Sequence, residues 1–386
     1  ILLIIRDWLT SNERESSFRS IDEIDSAIGT SIGLRRTQNE DRSCLARMHF
    51  GPHNLGPIHL AVICDGLGGM EGGKESAAYA LTMVVAGTFS HISKGAAPQD
   101  ALLYSVEKAN EEIFSHFHGN GGTTLSAAMI LPDGECIGVN VGDSRIYTLK
   151  PGDSFIQLTT DDNVATEMQQ FSAITPENLE QLEFGEHLTQ FVGIGPDIRI
   201  RAERLELAKS TGSRLLLATD GAWRATNGSF GKVVLNAPTA SDVVKRAINL
   251  SNWCGGIDNT TILVTGNVHE ISRTQTSALQ RNFANFSRLD MWTPSGHNVF
   301  YFDVSNKALP SAGSRSFHTK LQQEQVEERP PKTRKAPKAK SKKTASSKEG
   351  SPEKKEKFVQ SSEKSQQFDI EILLDDFVDK DAKNTR

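Results

Sequence analysis

Five turn-like places in this sequence set a carboxylate at the end or the entrance of an apolar, strand-like run. "AVICDGLGG" ends in Asp65, after which glycine takes five of the next eight positions. "TQNEDR" puts Glu40 and Asp41 just before a strand, and "VNVGDSRIY" holds Asp143 in a Gly-Asp-Ser-Arg turn. "LLLATDGAW" ends in Asp220-Gly221, and "GGIDNTTILV" opens on Asp258-Asn259. Taken singly, each is ordinary turn chemistry, because Asp, Asn and Gly all favour turns. Taken together, they could gather acidic oxygens at one place. Converging carboxylates repel and raise one another's pKa unless cations sit between them. An all-oxygen set suits hard ions such as Mg2+ or Mn2+, and no His/Cys set with zinc spacing accompanies it. The glycine-rich turn after Asp65 could by itself cradle phosphate through backbone N–H groups. Neither the GxxxxGK[ST] nor the GxGxxG template is present, however.

The elements that must position these residues alternate between strand-like and helix-like patterns from residue 27 to about 267. "IHLAVICDG" reads as a buried strand and "ESAAYALTMVVAGTF" as an apolar-faced helix. "PQDALLYSVEKANEEIFSHF" is a second helix, with Leu102, Val106, Ala109 and Ile113 at helical spacing. "TTLSAAMIL", "CIGVNVGDSRIYTL", "FIQLT", "RAERLEL", "RLLLATDG" and "NTTILVTGNV" read as strands. Short strands between Gly, Asp and Pro turns, with the two long helices adjacent in sequence, predict an α+β layout of antiparallel sheets covered by helices. Residues 1–26 read as a lead-in. Residues 268–325 are a polar extension with a hairpin signal at "MWTPSGHNVFYFDV", and 326–366 form a basic Lys/Ser/Glu/Pro-rich linker expected to be disordered. Residues 367–386 are a short acidic tail. In it Ile370, Leu373, Leu374, Phe377 and Val378 share one helical face, as expected of a docking helix for a partner.

Bulk composition narrows the function classes. The chain carries a net charge of −5, yet residues 329–357 hold twelve Lys/Arg against three Glu. The folded part is therefore acidic, which argues against nucleic acid as its partner. The basic run lacks the interleaved aromatics of a single-strand binder and reads as a solvated linker. Cys44, Cys64, Cys136 and Cys254 show no CxxC spacing, as expected for reduced structural thiols in a cytoplasmic protein. The apolar opening "ILLIIRDWLT" is too short for a signal peptide or a membrane span.

The ordered series R-x-x-N-E-D, DGxGG, G-T-T, GDSR-x-Y, L-T-x-D, L-T-Q-x-x-G, DG and DN-x-T resembles the metal-dependent Ser/Thr protein phosphatases, the type 2C or PPM family, in its bacterial form. Here the series reads Arg36 with "NED", "DGLGG", "GGTTLS", "GDSRIY", "LTTD", "LTQFVG", "TDGAW" and "DNTTILV", in order over about residues 27–267. One such motif is weak evidence, whereas the ordered set is specific. The resemblance implies two antiparallel sheets packed as a sandwich between helix pairs, with a metal centre at one end. It implies that Asp65 bridges two Mn2+ or Mg2+ ions. The Gly66 carbonyl and Glu40 would ligate one ion, and Asp220 and Asp258 the other. Asp41 would hold metal-bound water, Asp143 would ligate a weaker third ion, and Arg36 would grip the substrate phosphate. A two-metal-activated water would then hydrolyse phosphoserine and phosphothreonine without a covalent intermediate. Phosphorylated proteins, including Ser/Thr kinases or their targets, are the implied partners of a monomeric catalytic domain.

The chain departs from the family pattern in places. Leu67 stands at the middle of DGxGG, where eukaryotic members often have histidine, and Met70 replaces another frequent histidine. Lys74 stands where glutamate is usual, and Asp162 where histidine is common. The segment from Asp161 to about Pro196 corresponds to the family's variable flap. The alternative expectation is a catalytically weak pseudophosphatase that binds a phosphoprotein or kinase. Retention of all six carboxylates and Arg36 disfavours it.

Overall fold

A computed structural model describes residues 2–11, 13–51, 55–68, 70, 72–170, 184–207, 212–226, 228–273, 286–303 and 308–309. The linker and acidic tail expected beyond residue 326, and the central part of the flap, lie outside the described residues. The first half of the chain contains α1 (Leu2–Ser11), β1 (Ser17–Ile21), β2 (Ser26–Ser31), β3 (Arg42–Phe50), β4 (Leu55–Cys64), α2 (Gly73–Ser93) and α3 (Pro98–His116). There follow β5 (Leu125–Ile130), β6 (Cys136–Val141), β7 (Arg145–Lys150), β8 (Ser154–Gln157), α4 (Val164–Gln170), β9 (Ala202–Arg204) and β10 (Arg214–Ala218). The described chain closes with α5 (Asp220–Trp223), α6 (Ser229–Leu235), α7 (Ala240–Trp253), β11 (Thr260–Val264), α8 (Val268–Arg273), β12 (Phe286–Trp292), β13 (His297–Asp303) and β14 (Ala308–Leu309).

The strands form two antiparallel sheets. One has the order β1-β2-β11-β10-β7-β8 and the other β14-β13-β12-β3-β4-β5-β6-β9. Alternation along single strands shows how they stack. Leu215, Leu217 and Leu263 point into a layer shared with Leu45, Ala61, Ile63 and Ala128 of the facing sheet. Their neighbours Leu216, Ala218, Ile262 and Val264 point the other way, against Val234, Val243, Val244 and Ala247 of α6 and α7. Leu60, Val62 and Cys64 of β4 likewise turn outward onto Ala77, Leu81, Val84, Leu102 and Val106 of α2 and α3. Strands buried on both faces read as continuous apolar runs, which is why "LLLA" and "LAVIC" lack polar alternation. The result is the expected α-β-β-α sandwich. α3 starts with Pro98 in its first turn, a position where the missing N–H costs nothing. α7 is capped by Thr239, whose side chain accepts from the Asp242 N–H.

The sheets extend beyond residues 27–267. β1 pairs with β2 at one edge. The hairpin signal after residue 268 is real, since Trp292 pairs with His297 and β12 lies along β3 with Leu289 opposite Met48. Thr293 closes that turn, its N–H donating to the Gly296 carbonyl at 2.8 Å. The polar look of this stretch has a physical cause. Asp290, fully buried, accepts from Arg47 at 3.3 Å and from Arg288 at 2.5 Å. The Arg47 guanidinium also lies 5.0 Å from the centroid of the Trp292 ring. Among the described residues no helix is long and apolar enough to cross a membrane. All four cysteines are free, three of them buried.

His59 sits opposite Arg47 in the β3–β4 ladder, fully buried, with neither ring nitrogen hydrogen-bonded. Burial, reinforced by Arg47 and His49, pushes its pKa down to about 3. A group held neutral when folded but free to protonate near pH 6.5 when unfolded contributes stability that is present above pH 6.5. That stability is lost as the pH falls toward 3. Replacing it, His59→Met, should therefore remove about 2 kcal/mol of the stability loss that the parent chain suffers between pH 7 and pH 5. Urea denaturation of both chains at the two pH values checks this. An identical pH dependence would show that the imidazole titrates normally in the fold.

Candidate metal centre

The sheet ends nearest β3, β4, β10 and β11 carry the candidate residues to one place. Arg36, Glu40 and Asp41 lie in the loop from β2 into β3, Asp65 follows β4, Asp143 lies in the β6–β7 turn, Asp220 opens α5 directly after β10, and Asp258 precedes β11. The Arg36 guanidinium donates to the Asp258 carboxylate at 2.7 Å, across 222 positions of sequence. Gly66 pairs across the turn with Thr123. A Cβ on Gly66 would lie 2.4 Å from the Gly73 carbonyl oxygen and 3.1 Å from the Glu40 Cβ. One on Gly68 would lie 2.9 Å from Arg36 Nη1 and 3.3 Å from a Glu40 oxygen. Gly66 is thus required by the backbone it faces, and at Gly68 the turn runs between these two side chains.

A second tier of hydrogen bonds fixes the carboxylates. Asp65 is held through its backbone: its N–H donates to Thr124 Oγ1 at 3.0 Å, and its carbonyl accepts from the Thr124 N–H at 2.8 Å. Asp41, buried, accepts from Thr219 Oγ1 at 2.9 Å, and Thr219 Oγ1 accepts in turn from the Thr261 N–H at 2.9 Å. Asn259 ties the segment before β11 to three backbone groups of the β2–β3 loop. Its side-chain oxygen accepts from the Glu40 N–H at 2.9 Å, and its amide donates to the carbonyls of Ile32 at 3.0 Å and Gln38 at 3.1 Å. Gly221 allows the close approach of this segment to α5, because a Cβ there would lie 1.9 Å from the Asn259 carbonyl oxygen.

The electrostatics are those of crowded, desolvated acids. Burial and then the neighbouring Asp41, Asp220, Asp258 and Asp143 raise the pKa of Asp65 well above the usual carboxylate range. Burial is also the main cause of the upward shifts of Asp41, Asp143 and Asp220. One oxygen each of Asp41 and Asp220 is buried without a hydrogen-bond partner. Unpaired buried acceptors among like charges call for cations. The donor set, all oxygen, fits hard divalent ions. Among the described residues no three His, Cys, Asp or Glu side chains form a ready-made cage.

Two residues that the sequence patterns left aside stand out. Arg224 donates to Asp143 at 2.6 Å and contacts Asp220 at 2.8 Å. Its only trace in the sequence is the Asp-to-Arg spacing of four across a helical turn. Lys74, at a position where glutamate is usual, turns away from the acids and pairs with Glu13 at 3.2 Å and Glu15 at 3.5 Å. Glu15 also accepts from the Asn39 N–H, so the lead-in segment braces the Asn39-Glu40-Asp41 loop. Asp162 holds the β6–β7 turn by accepting from the Gly142 N–H at 3.0 Å.

Residues 47–244, just over half of the chain, match the family model described as Protein phosphatase 2C. The chain belongs to the protein phosphatase 2C family. It is similar to protein phosphatase PhpP of Streptococcus pneumoniae, 27% identical over 239 residues that span 60% of this chain and 93% of that protein. It is also similar to serine/threonine phosphatase stp of Listeria innocua, 26% identical over 243 residues, 61% of this chain and 92% of the relative. A solved structure, the PPM Ser-Thr phosphatase MsPP from Mycobacterium smegmatis in complex with cacodylate, is 30% identical with a TM-score of 0.51. It covers 63% of this chain and 97% of its own.

Within this phosphatase 2C domain Asn259 bonds to three backbone groups of the β2–β3 loop, so Asn259→Ala should cost about 1–3 kcal/mol of stability. It should also weaken Mn2+ binding at least about tenfold, as loss of groups that orient ligands does elsewhere. Calorimetric titration with Mn2+ and urea denaturation check the pair of effects. Unchanged Mn2+ affinity would show that Glu40 needs no such support.

Proposed function

We propose that the chain uses this carboxylate cluster to hydrolyse phosphoserine and phosphothreonine in proteins. The chain is a metal-dependent serine/threonine protein phosphatase, and the observation that carries the site assignment is the gathering of the desolvated Asp41, Asp65 and Asp220 beside Asp258, which Arg36 pairs from the solvent side. Asp65, Glu40 and the Gly66 carbonyl, with Asp220 and Asp258, would hold two Mn2+ or Mg2+ ions. Bound divalent metals supply Lewis acidity, which lowers the pKa of water and offsets charge on the phosphoryl group.

The chain's own residues do the rest. Asp41, oriented by Thr219, presents its unpartnered oxygen as an acceptor for a water proton. Arg36 is part-exposed at the mouth of the cluster, where a phosphate dianion competes with Asp258 for its planar donor set. The cacodylate of the Mycobacterium smegmatis relative is a tetrahedral oxyanion, the shape a phosphate monoester presents. Leu67 offers no proton to the leaving serine or threonine oxygen, so water must protonate it. Phosphorylated kinases or their targets are the substrates this reading favours, for a monomeric catalytic domain working in the cytoplasm. No observation favours the pseudophosphatase alternative.

Asp65→Asn and Asp258→Asn should each lower turnover of a phosphopeptide at saturating Mn2+ by at least about 100-fold, the scale on which a key electrostatic group acts. Circular dichroism should show the fold retained. Near-normal turnover in either variant would overturn the assignment of that residue. Arg36→Ala should instead raise KM about tenfold, because a charge-assisted hydrogen bond at a part-exposed site contributes near the low end of about 1.5–3 kcal/mol. Unchanged steady-state kinetics on phosphopeptide and aryl phosphate would mean that Arg36 serves only to pair with Asp258.

A further inference from the structure

The resemblance to the family assigns Asp143 to a weak third metal ion, and the surroundings of Asp143 do not fit one. The Asp143 carboxylate that such an ion would need is already held by a side chain. Arg224 Nη2 lies 2.6 Å from Asp143 Oδ2, and Arg224 Nη1 lies 2.8 Å from Asp220 Oδ2. Both carboxylates are almost wholly buried. The guanidinium fork therefore occupies the space between them and delivers one fixed positive charge to both. A divalent ion at the same Asp143 oxygen would have to displace it or meet a cation at contact distance.

The backbone around Arg224 is built to hold that pose. The single helical turn of α5 stacks residue 224 four positions after Asp220, and the Arg224 N–H donates to the Asp220 carbonyl. The preceding Trp223 lies beneath Arg145, whose guanidinium carbon is 3.3 Å from the ring centroid. Arg145 is itself locked by paired hydrogen bonds to the buried Asp161, at 3.0 Å and 2.7 Å. On its outer side Arg224 reaches Glu186, 3.6 Å away, in the described end of the flap. The arginine is thus fixed from within and from the flap.

We propose that Arg224 is this chain's tethered substitute for a third metal ion, so that the centre binds two divalent ions and the Asp143 position never takes one. The proposal rests on the two-metal reading above. It makes Arg224 a positioning residue, which holds Asp220 so that its one free oxygen faces the metal pair.

Metal stoichiometry tests it without recourse to activity. The full-length chain would be equilibrated by dialysis against millimolar Mn2+ and the bound metal counted by elemental analysis. Parent, Arg224→Ala, Arg224→Gln and Arg224→Ala/Asp143→Asn chains would be compared, each checked for a cooperative thermal melt. Arg224→Gln keeps most of the side-chain volume and guards against a folding failure of the alanine variant. The expected result is a plateau of two Mn2+ per parent chain, three in both single variants, and two again in the double variant. Three ions in the parent would overturn the proposal while leaving the two-metal reading intact. Two ions in every chain would also overturn it, since removing the guanidinium would have opened no site. Fewer than two in the parent would overturn the two-metal reading and this inference with it.

Discussion

The structure depends on one electrostatic constraint: several carboxylates are buried at one end of a sandwich, where their charges cannot be left to water. Asp41, Asp65, Asp143 and Asp220 all have their pKa raised, by burial first. A cluster of this kind destabilises the fold that carries it unless positive charge is brought in. The chain provides part of that charge itself. Arg36 faces Asp258 from the solvent side, and Arg224 joins Asp143 to Asp220 from within. One oxygen each of Asp41 and Asp220 stays buried with no partner.

Holding like charges together requires a rigid support, and the two sheets supply it. The strands that end in the acids, β4 and β10, and β11 that follows Asp258, are the apolar ones buried on both faces. Their packing resists the repulsion that would otherwise splay the turns. Threonine and asparagine then set the finer orientation: Thr219 on Asp41, Thr124 on Asp65, and Asn259 across the loops before β3 and β11. The lead-in segment is drawn into the same task, since Lys74 and Asn39 both bond to Glu15.

At the β3–β12 pair a related problem is solved differently. Asp290 is fully buried, yet Arg47 and Arg288 reach it directly, so that pair of cations completes the charge balance without any ion from solution. The contrast is informative. Where arginines enclose a buried acid, the chain has a closed structural network. Where they leave oxygens bare beside a glycine-rich turn, it has room for metal and substrate.

Much of the site was legible in the sequence because strand ends and turns have strong local signatures. The apolar runs before Asp65 and Asp220, the glycines that follow them and the Asp-Asn pair before β11 are read directly from residue types. So are the two long helices, from their 3.6-residue spacing. The hairpin of β12 and β13 was visible as a turn but not as a sheet strand, because its pairing with β3 joins segments far apart in the chain, Leu289 opposite Met48. Convergence was legible only through the ordered motifs and not from any single segment. Arg36 and Asp258 meet only because β11 pairs antiparallel with β2, and nothing local in either segment encodes that pairing. The role of Arg224 lay further still from the sequence. Next to Asp220 it reads as an ordinary helical ion pair, and only the packing of the β6–β7 turn against α5 brings Asp143 to its other arm. The sequence by itself determined which groups carry charge and which turns carry them, since those are local properties. The tertiary structure alone decided which charges share a desolvated space, because electrostatic coupling depends on distance and burial, and both are set by contacts far apart along the chain.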